Sequence, residues 1–310
     1  MKIVTLTLNP AFDVHCHTAN FQPYHENLAQ ITSNDAGGKG VNISRALTVN
    51  GIENTALVVL GAENGDSFRR ALQADEIPYC EITVAGSIRE NITLHTDNAP
   101  ETRISFAGFS TDESLLTETD AIIGEDLSDA IITFTGRVPN GISMDAVKAF
   151  LKHLQAKGAR IVLDSKSFSA QDMLEVSPWL IKPNEEEIAL YTDKPIQTVS
   201  DAARAIVALQ EAGIEQVLLS LGKSGALLAS QAGVWKACAP KIDVLSTIGA
   251  GDSSIAGFLA AHRTGAPLQD CLATAVAFGS AACLREGTAP PLAEDIARLQ
   301  AEINVEEFVY

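Results

Sequence analysis

The sequence predicts an α/β fold, namely a doubly wound, mostly parallel sheet that is flanked by helices and carries a small β lid. Short apolar runs alternate with stretches of helical periodicity, as a parallel sheet covered on both faces requires. The predicted buried strands are Ile3 to Leu8, Ala56 to Leu60, Ala130 to Gly136, Ala159 to Ser165 and Glu215 to Gly222. Between the third and fourth strands, Val147, Phe150, Leu151 and Leu154 recur at helical spacing, and Gly158 is suited to end that helix.

Two segments break this alternation and predict a small β layer. Residues 11–34 are polar and irregular, whereas Arg89 to Phe106 alternates like a hairpin with DNAP near its turn. No linker rich in glycine, serine or proline divides the chain. We therefore expect one α/β domain over residues 1–310, in which residues 11–34 and 88–108 form an inserted lid.

Composition limits the classes of partner. The chain has 310 residues, 22 Lys and Arg against 39 Asp and Glu, and a net charge of −17. This charge disfavours nucleic acid and membrane as partners, so any bound anion must be held by local groups. The five cysteines show no zinc spacing and predict buried free thiols. Because no signal peptide or long apolar stretch is evident, we expect a cytoplasmic location.

The run STIGAGDSSIAGFL, Ser246 to Leu259, places very small residues directly before an aspartate and a helical pattern. The first N–H groups of a helix bind anions, and glycine and alanine leave room for the anion to approach. If a phosphoryl group binds to these amides, Asp252 could accept the proton of an attacking hydroxyl. An ordinary junction between a loop and a helix would give the same pattern.

A second glycine-rich run, NDAGGKGVNISRAL, also precedes a helical pattern and includes Lys39 and Asn42. It has neither the spacing of a P-loop nor that of the dinucleotide-binding fingerprint. Two glycine-rich helix starts favour two anion or polyol sites in one cleft over two unrelated tight turns.

Five motifs together carry a resemblance to a known family. They are AGGKGVN (Ala36 to Asn42), STIGAGDS (Ser246 to Ser253), LNPAFD (Leu8 to Asp13), KPNEEE (Lys182 to Glu187) and LSLGKSGAL (Leu219 to Leu227). In their order and spacing the chain resembles the ribokinase-like sugar kinases, and within them the branch of 1-phosphofructokinases and tagatose-6-phosphate kinases. The resemblance covers essentially the whole chain. It implies a kinase that uses ATP and Mg²⁺, with a monovalent cation as a further candidate cofactor.

The resemblance also implies roles for individual residues. Asp252 would be the base that deprotonates the sugar hydroxyl, and Gly249, Ala250 and Gly251 would form the anion hole for the transferring phosphate. The residues implied to bind the sugar phosphate are Asp13, Gly37, Gly38, Lys39, Asn42, Arg89, Asn91 and Arg103. Asp13 would bond sugar hydroxyls, whereas Lys39 and the two lid arginines would bind the phosphate. A turn aspartate and solvated surface arginines are the plainer interpretations.

On the nucleotide side, the resemblance implies contacts of ATP with Ser220, Gly222, Ser224 and Gly225, and of adenine with Thr247 and Gly279. Asn184 and Glu187 would hold Mg²⁺, partly through waters. An N-cap asparagine followed by first-turn glutamates gives the same pattern and is compatible with a metal role.

Some positions bear on the choice of substrate. Arg137 stands in TFTGRVPNG where the family often has serine, and DSKS (Asp164 to Ser167) replaces D-S-S-G. Asn27 stands where a 6-phosphofructokinase-like relative has a lysine, which together with Lys39 favours fructose 1-phosphate as the sugar. Tagatose 6-phosphate and other sugars are alternatives within the class.

Outside this class, a non-catalytic sugar-phosphate-binding protein or a nucleotide-binding regulator would retain the fold without turnover. The intact Asp252 and GAGD argue against the non-catalytic binding protein, whereas the regulator would be marked by ATP binding without sugar-dependent hydrolysis. In the family that this sequence resembles, the lid often pairs with the lid of a second subunit. We therefore expect a homodimer.

Overall fold

The computed structural model describes residues 1–193 and 195–310. Its strands are β1 (Lys2–Thr7), β2 (Ala11–Thr18), β3 (Gln30–Gly37), β4 (Thr55–Gly61), β5 (Tyr79–Val84), β6 (Arg89–Thr96), β7 (Thr102–Ser105), β8 (Ala130–Thr135), β9 (Arg160–Asp164), β10 (Leu180–Ile181), β11 (Gln216–Ser220), β12 (Ala226–Ser230), β13 (Gly233–Ala237) and β14 (Val305–Glu307). Its helices are α1 (Lys39–Val49), α2 (Gly65–Ala74), α3 (Ser114–Ile123), α4 (Met144–Ala156), α5 (Ala170–Val176), α6 (Glu185–Thr192), α7 (Val199–Glu211), α8 (Ala250–Arg263), α9 (Leu268–Ala282) and α10 (Ala293–Gln300).

A ten-stranded sheet forms the body of the molecule, in the order β14-β13-β12-β11-β10-β9-β8-β1-β4-β5. The strands from β11 to β5 along this order are parallel, and β12, β13 and β14 add an antiparallel edge. All five predicted buried strands are confirmed, as is the doubly wound fold class. Because the carboxyl ends of parallel strands share one edge, β1, β8, β9 and β11 end on the same side of the body.

Two apolar cores lie on opposite faces of this sheet. One contains buried residues of α1, α8, α9 and α10, among them Ile43, Leu47 and Phe258. The other contains residues of the helices from α2 to α7, including Leu151 of the predicted helix α4. Gly158, with φ of 99°, follows that helix one residue beyond its C-cap, Lys157. Helices on both faces explain why the central strands are continuous apolar runs.

A second, four-stranded sheet has the order β3-β2-β6-β7. The hairpin predicted over residues 89–106 corresponds to the antiparallel pair β6 and β7. Residues 11–34, whose sequence pattern is irregular, contain β2 and most of β3, and these are regular paired strands. Strand β2 lies between β3 and β6 and is buried on both faces, so its polar side chains do not show the usual alternation of an exposed strand.

The prediction of buried thiols is also wrong in part, since Cys80 and Cys238 are exposed. Cys80 lies on β5, the edge strand of the large sheet, where side chains alternate between core and solvent. Cys271 is buried as expected. In the part of the chain that the structure describes, no helix has the length and apolar character needed to cross a bilayer.

Candidate active site

Helix α8 begins at the GAGD run, at the edge of the sheet where the parallel strands end. Gly249 is its N-cap with φ of 76°, a conformation that favours glycine, and Ala250 is its first residue. The first N–H groups of a helix have no acceptor within the helix and carry its positive dipole end. A side chain at Gly251 would meet the ammonium of Lys182, because a Cβ there would lie 3.0 Å from Lys182 Nζ. The helix start therefore combines free amide donors with a lysine, which suits a phosphoryl group.

Asp252 is buried in the first turn of this helix. Asn42 Nδ2 of α1 donates a 2.9 Å hydrogen bond to Asp252 Oδ2. Asn42 is itself held by Arg45, whose Nη1 donates to Asn42 Oδ1 over 3.0 Å. Burial raises the pKa of Asp252 to about 6, and the charge of Lys39 opposes that shift. A carboxylate with this pKa is charged at neutral pH and is a better proton acceptor than an ordinary aspartate.

Lys39 and Lys182 share one buried carboxylate, that of Asp164 at the end of β9. Lys39 Nζ donates to Asp164 Oδ1 over 2.6 Å, and Lys182 Nζ lies 3.6 Å from Asp164 Oδ2. Burial would raise the pKa of Asp164, but the two lysines outweigh it and the pKa is lowered. Burial likewise opposes ionisation of Lys39, but Asp164 and Asp252 raise its pKa overall. Lys39 therefore remains charged, and Lys182 lies beside the start of α8.

Sequence reasoning did not select Asp164 or Lys182 as site residues. Lys182 is the first residue of the acidic KPNEEE motif, and a lysine in that position is the signal that could have identified it. The structure shows that Lys182 is buried. The assignment of Lys39 to the substrate phosphate stays a prediction. The Lys39 ammonium bonds to Asp164, and the charge of Asp252 also acts on it. Lys39 therefore lies near the candidate base, although binding the substrate phosphate does not require that position.

A second group of polar residues surrounds Asp13 on β2, in the small sheet. Asp13 is paired in register with Asn91 of β6, and Asn91 Nδ2 donates to Asp13 Oδ1 over 2.9 Å. Burial raises the pKa of Asp13, whereas the hydrogen bond from Asn91 and the charges of Arg103 and Arg89 lower it. A buried carboxylate with one oxygen already oriented suits the recognition of sugar hydroxyls.

The glycines of the AGGKGVN run have identifiable packing reasons. A Cβ at Gly37 would lie 2.0 Å from Asp13 Oδ2, so no side chain fits beside this carboxylate. Gly38 is the N-cap of α1 with φ of 115°, and a Cβ there would lie 2.7 Å from Thr7 Cγ2. The backbone at Gly37 therefore approaches Asp13 closely.

The lid arginines lie next to Asp13. Arg89 Nη1 donates to Asn91 Oδ1 over 3.2 Å and to the Phe106 carbonyl over 3.1 Å. Arg103 lies on β7 and is exposed. Its charge and that of Arg89 both act on Asp13. The structure thus brings Asp13, Asn91, Arg89 and Arg103 to one end of the small sheet.

A cleft of about 900 Å³ lies on the other side of the start of α8. Of the predicted nucleotide residues, five line it, namely Ser220, Gly222, Gly225, Thr247 and Gly279. Ser224, in the 3-10 turn Gly222–Ser224, is not among its lining residues, because this short turn directs successive residues to different sides. Ala250 and Gly251 also line the cleft, so it reaches the anion-binding helix start.

Two of these glycines also have structural roles. A Cβ at Gly225 would lie 1.9 Å from the Ala237 carbonyl oxygen, and its φ is 96°. A Cβ at Gly279 would lie 2.3 Å from Ser254 Oγ, so Gly279 lets α9 approach α8. Both residues are therefore needed for packing whether or not they contact a nucleotide.

The candidate metal residues Asn184 and Glu187 form a capping box at the start of α6. Asn184 Oδ1 accepts from Glu187 N over 2.8 Å, and Glu187 Oε2 accepts from Asn184 N over 3.1 Å. Asn184 lines the cleft but Glu187 does not. Within residues 1–193 and 195–310, no group of three or more His, Cys, Asp or Glu side chains could hold a metal ion. The donor set fits Mg²⁺, which keeps most of its waters and binds phosphate oxygens as well as few protein groups.

Comparison with known proteins agrees with this geometry. A family model described as "pfkB family carbohydrate kinase" matches residues 8–295. The 1-phosphofructokinase of Escherichia coli (strain K12) is 31% identical over 262 residues, which cover 83% of each chain. That of Bacillus subtilis (strain 168) is 30% identical over 99% of this chain and 96% of its own.

Among solved structures, phosphofructokinase-2 from Escherichia coli in complex with substrates and products matches with a TM-score of 0.90 and 25% identity, covering 97% of this chain and 99% of that one. The family resemblance of the sequence motifs is thus confirmed. It follows that the chain belongs to the pfkB family of carbohydrate kinases and is a phosphotransferase that acts on a sugar hydroxyl.

Proposed function

We propose that this chain transfers the γ-phosphoryl group of ATP to the free primary hydroxyl of fructose 1-phosphate and so forms fructose 1,6-bisphosphate. The observation that carries the proposal is the position of Asp252, a buried carboxylate with a pKa of about 6 at the amide-rich start of α8. The 900 Å³ cleft reaches the same helix start, and Asp13 and Asn91 form a separate polar group on the small sheet. Relatives named 1-phosphofructokinase support the choice of sugar.

In the proposed reaction, the sugar hydroxyl attacks the γ-phosphorus of ATP. A bond forms between the hydroxyl oxygen and the γ-phosphorus, and the bond from that phosphorus to the bridging oxygen of the departing ADP breaks. Asp252 accepts the hydroxyl proton and later returns it to solvent. The amides at Gly249, Ala250 and Gly251, together with Lys182, stabilise the negative charge on the transferring group.

ATP and a divalent metal follow from the family in general. We propose Mg²⁺ as that metal and Asn184 and Glu187 as the residues beside it, because Asn184 lines the nucleotide cleft and Glu187 is bonded to Asn184. When bound, Mg²⁺ neutralises phosphate charge and orients the phosphate chain. A monovalent cation stays a prediction from the family resemblance.

We also propose that two copies of the chain associate through the four-stranded sheet. Ile31 of β3 is 65% exposed, and Phe106, which follows β7, is 51% exposed. Apolar side chains on an uncovered sheet favour burial against another surface. Light scattering at micromolar concentration should give twice the mass of one chain, and replacement of Ile31 and Phe106 by Ser should give the mass of a monomer. A wild-type protein that scatters as a monomer would contradict this proposal.

The substrate is tested by ADP release with purified protein, ATP and Mg²⁺, assayed in parallel with fructose 1-phosphate, fructose 6-phosphate, tagatose 6-phosphate, fructose and ribose. We expect kcat/KM for fructose 1-phosphate to exceed that of every other sugar by at least about tenfold, or about 1.4 kcal/mol of transition-state binding. A preference for tagatose 6-phosphate would retain the mechanism and change the substrate. Binding of ATP without sugar-dependent ADP release would favour a non-catalytic protein.

A further inference from the structure

Within the described residues, Arg89 and Arg103 of the small sheet, and Arg137 in the loop after β8, form no ion pair with a carboxylate, whereas five other arginines of this chain do. Carboxylate oxygens lie within 4.0 Å of Arg45, Arg69, Arg204, Arg263 and Arg298. Among the described residues, no carboxylate oxygen lies that close to Arg89, Arg103 or Arg137. In a chain with a net charge of −17, this absence of acidic partners is notable.

Two contacts position the loop that carries Arg137 beside Arg89. The loop leaves the carboxyl end of β8 at Gly136, whose N–H donates to the Asp164 carbonyl over 3.1 Å. Further along the loop, the Asn140 carbonyl accepts from Thr111 N over 2.9 Å. The segment that ends at Thr111 contacts Arg89 in turn, because Arg89 donates to the Phe106 carbonyl and its Cδ lies 3.2 Å from the Cβ position of Gly108.

The charges of Arg89 and Arg137 act on each other. Burial lowers the pKa of Arg89, the charge of Arg137 lowers it further, and the charge of Asp13 raises it. Arg137 is exposed, so its guanidinium is accessible to a ligand. The charge of Asp13 offsets part of the repulsion between Arg89 and Arg137, and a dianion bound between the two guanidinium groups would relieve the rest. A neutral hydroxyl would not.

From this arrangement we infer that Arg137 binds the phosphate group of the sugar substrate together with Arg89 and Arg103, and that it sets the preference of this chain for a phosphorylated over an unphosphorylated sugar. The inference rests on the proposed function and deepens it. A planar guanidinium can bind two phosphate oxygens at once, which a serine at this position cannot. Arg137 would contribute to substrate binding and not to phosphoryl transfer, since the base and the helix start lie at Asp252.

The test is the R137S variant, measured against R137K and against R70S. Arg70 is a suitable control because it is exposed on α2 and bonds only to Ser67. For R137S we expect KM for the sugar phosphate to rise at least about tenfold. We expect kcat to stay within threefold and KM for ATP and kcat/KM for fructose to be unchanged. R137K should recover part of the loss because it restores charge without the planar fork.

Two outcomes would overturn the inference. One is an R137S variant whose KM for the sugar phosphate stays within twofold of wild type, as a merely solvated surface arginine would give. The other is an equal loss with fructose and with the sugar phosphate, which would indicate a general disturbance of the lid. If the wild type turns over no sugar phosphate, the proposed function fails. Titration calorimetry with fructose 1-phosphate then decides the inference separately, since R137S should still bind it at least about tenfold more weakly than wild type and R70S.

Discussion

Replacing Asp252 by Asn is expected to abolish most turnover and, at the same time, to stabilise the fold. The amide cannot accept the proton of the sugar hydroxyl, so kcat should fall by roughly a thousandfold, within the range that a positioned base supplies. Asn42 donates to Asp252 over 2.9 Å and can donate to an amide oxygen instead. Binding of ATP and of the sugar phosphate should therefore be retained within about threefold in titration calorimetry.

The gain in stability follows from the sign of the pKa shift. Burial raises the pKa of Asp252 from 3.8 to about 6. A carboxyl group whose pKa is higher in the folded state than in the unfolded state destabilises the fold above its folded pKa, where it is charged in both states. The penalty disappears as the pH falls from about 6 towards 3.8. D252N should therefore gain about 1–3 kcal/mol in urea unfolding at pH 8 and nothing near pH 4.

The same pKa predicts the acid limb of the wild-type rate. Below about pH 6 the base becomes protonated, so kcat/KM should fall about tenfold per pH unit. Asp295→Asn, at a partly exposed position of α10 that pairs with Arg298, is a matched control that should alter neither the rate nor the profile. A D252N variant with kcat within tenfold of wild type would contradict the assignment of the base, whatever its stability.

Most of the framework could be predicted from the sequence because local patterns determine it. The buried strands are continuous apolar runs, and the two helix starts carry glycines with positive φ at Gly38 and Gly249. Local patterns also misled. Asp13 and His15 obscure the strand pattern of β2, although both are buried between neighbouring strands. Polar residues that line a pocket and polar residues of a loop look alike in a sequence.

The network around Asp164 could not be predicted for a different reason. Lys39 and Asp164 are 125 positions apart, and only the order of strands in the sheet brings them together. The same holds for Arg137 and Arg89. Arg137 lies in the loop after β8 of the large sheet, and Arg89 begins β6 of the small sheet. Ser224 shows a finer limit, since the direction of a side chain in a short turn depends on backbone angles that the motif does not specify.

Replacing Asp164 by Asn is expected to have the second largest effect, on stability and on turnover together. The carboxylate is the shared partner of Lys39 and Lys182, at 2.6 Å and 3.6 Å, and Lys182 is as deeply buried as the carboxylate itself. Without it, two ammonium groups face each other beside the start of α8 with no acidic group bonded to either. Breaking a buried ion pair by removing one partner costs about 3–5 kcal/mol, because the remaining charge is left uncompensated.

This loss should appear as a lower urea midpoint at pH 7 with an unchanged slope. Asp295→Asn, which breaks the surface pair with Arg298, should cost no more than about 1 kcal/mol. Since Lys39 and Lys182 stand beside Asp252 and Gly251, their displacement should also lower kcat at temperatures where the variant is still folded. A stable D164N protein with reduced kcat would mean that the carboxylate orients the lysines without stabilising the fold. Wild-type stability and wild-type kcat together would mean that the two lysines need no shared partner, and the account of the charge balance at this site would be wrong.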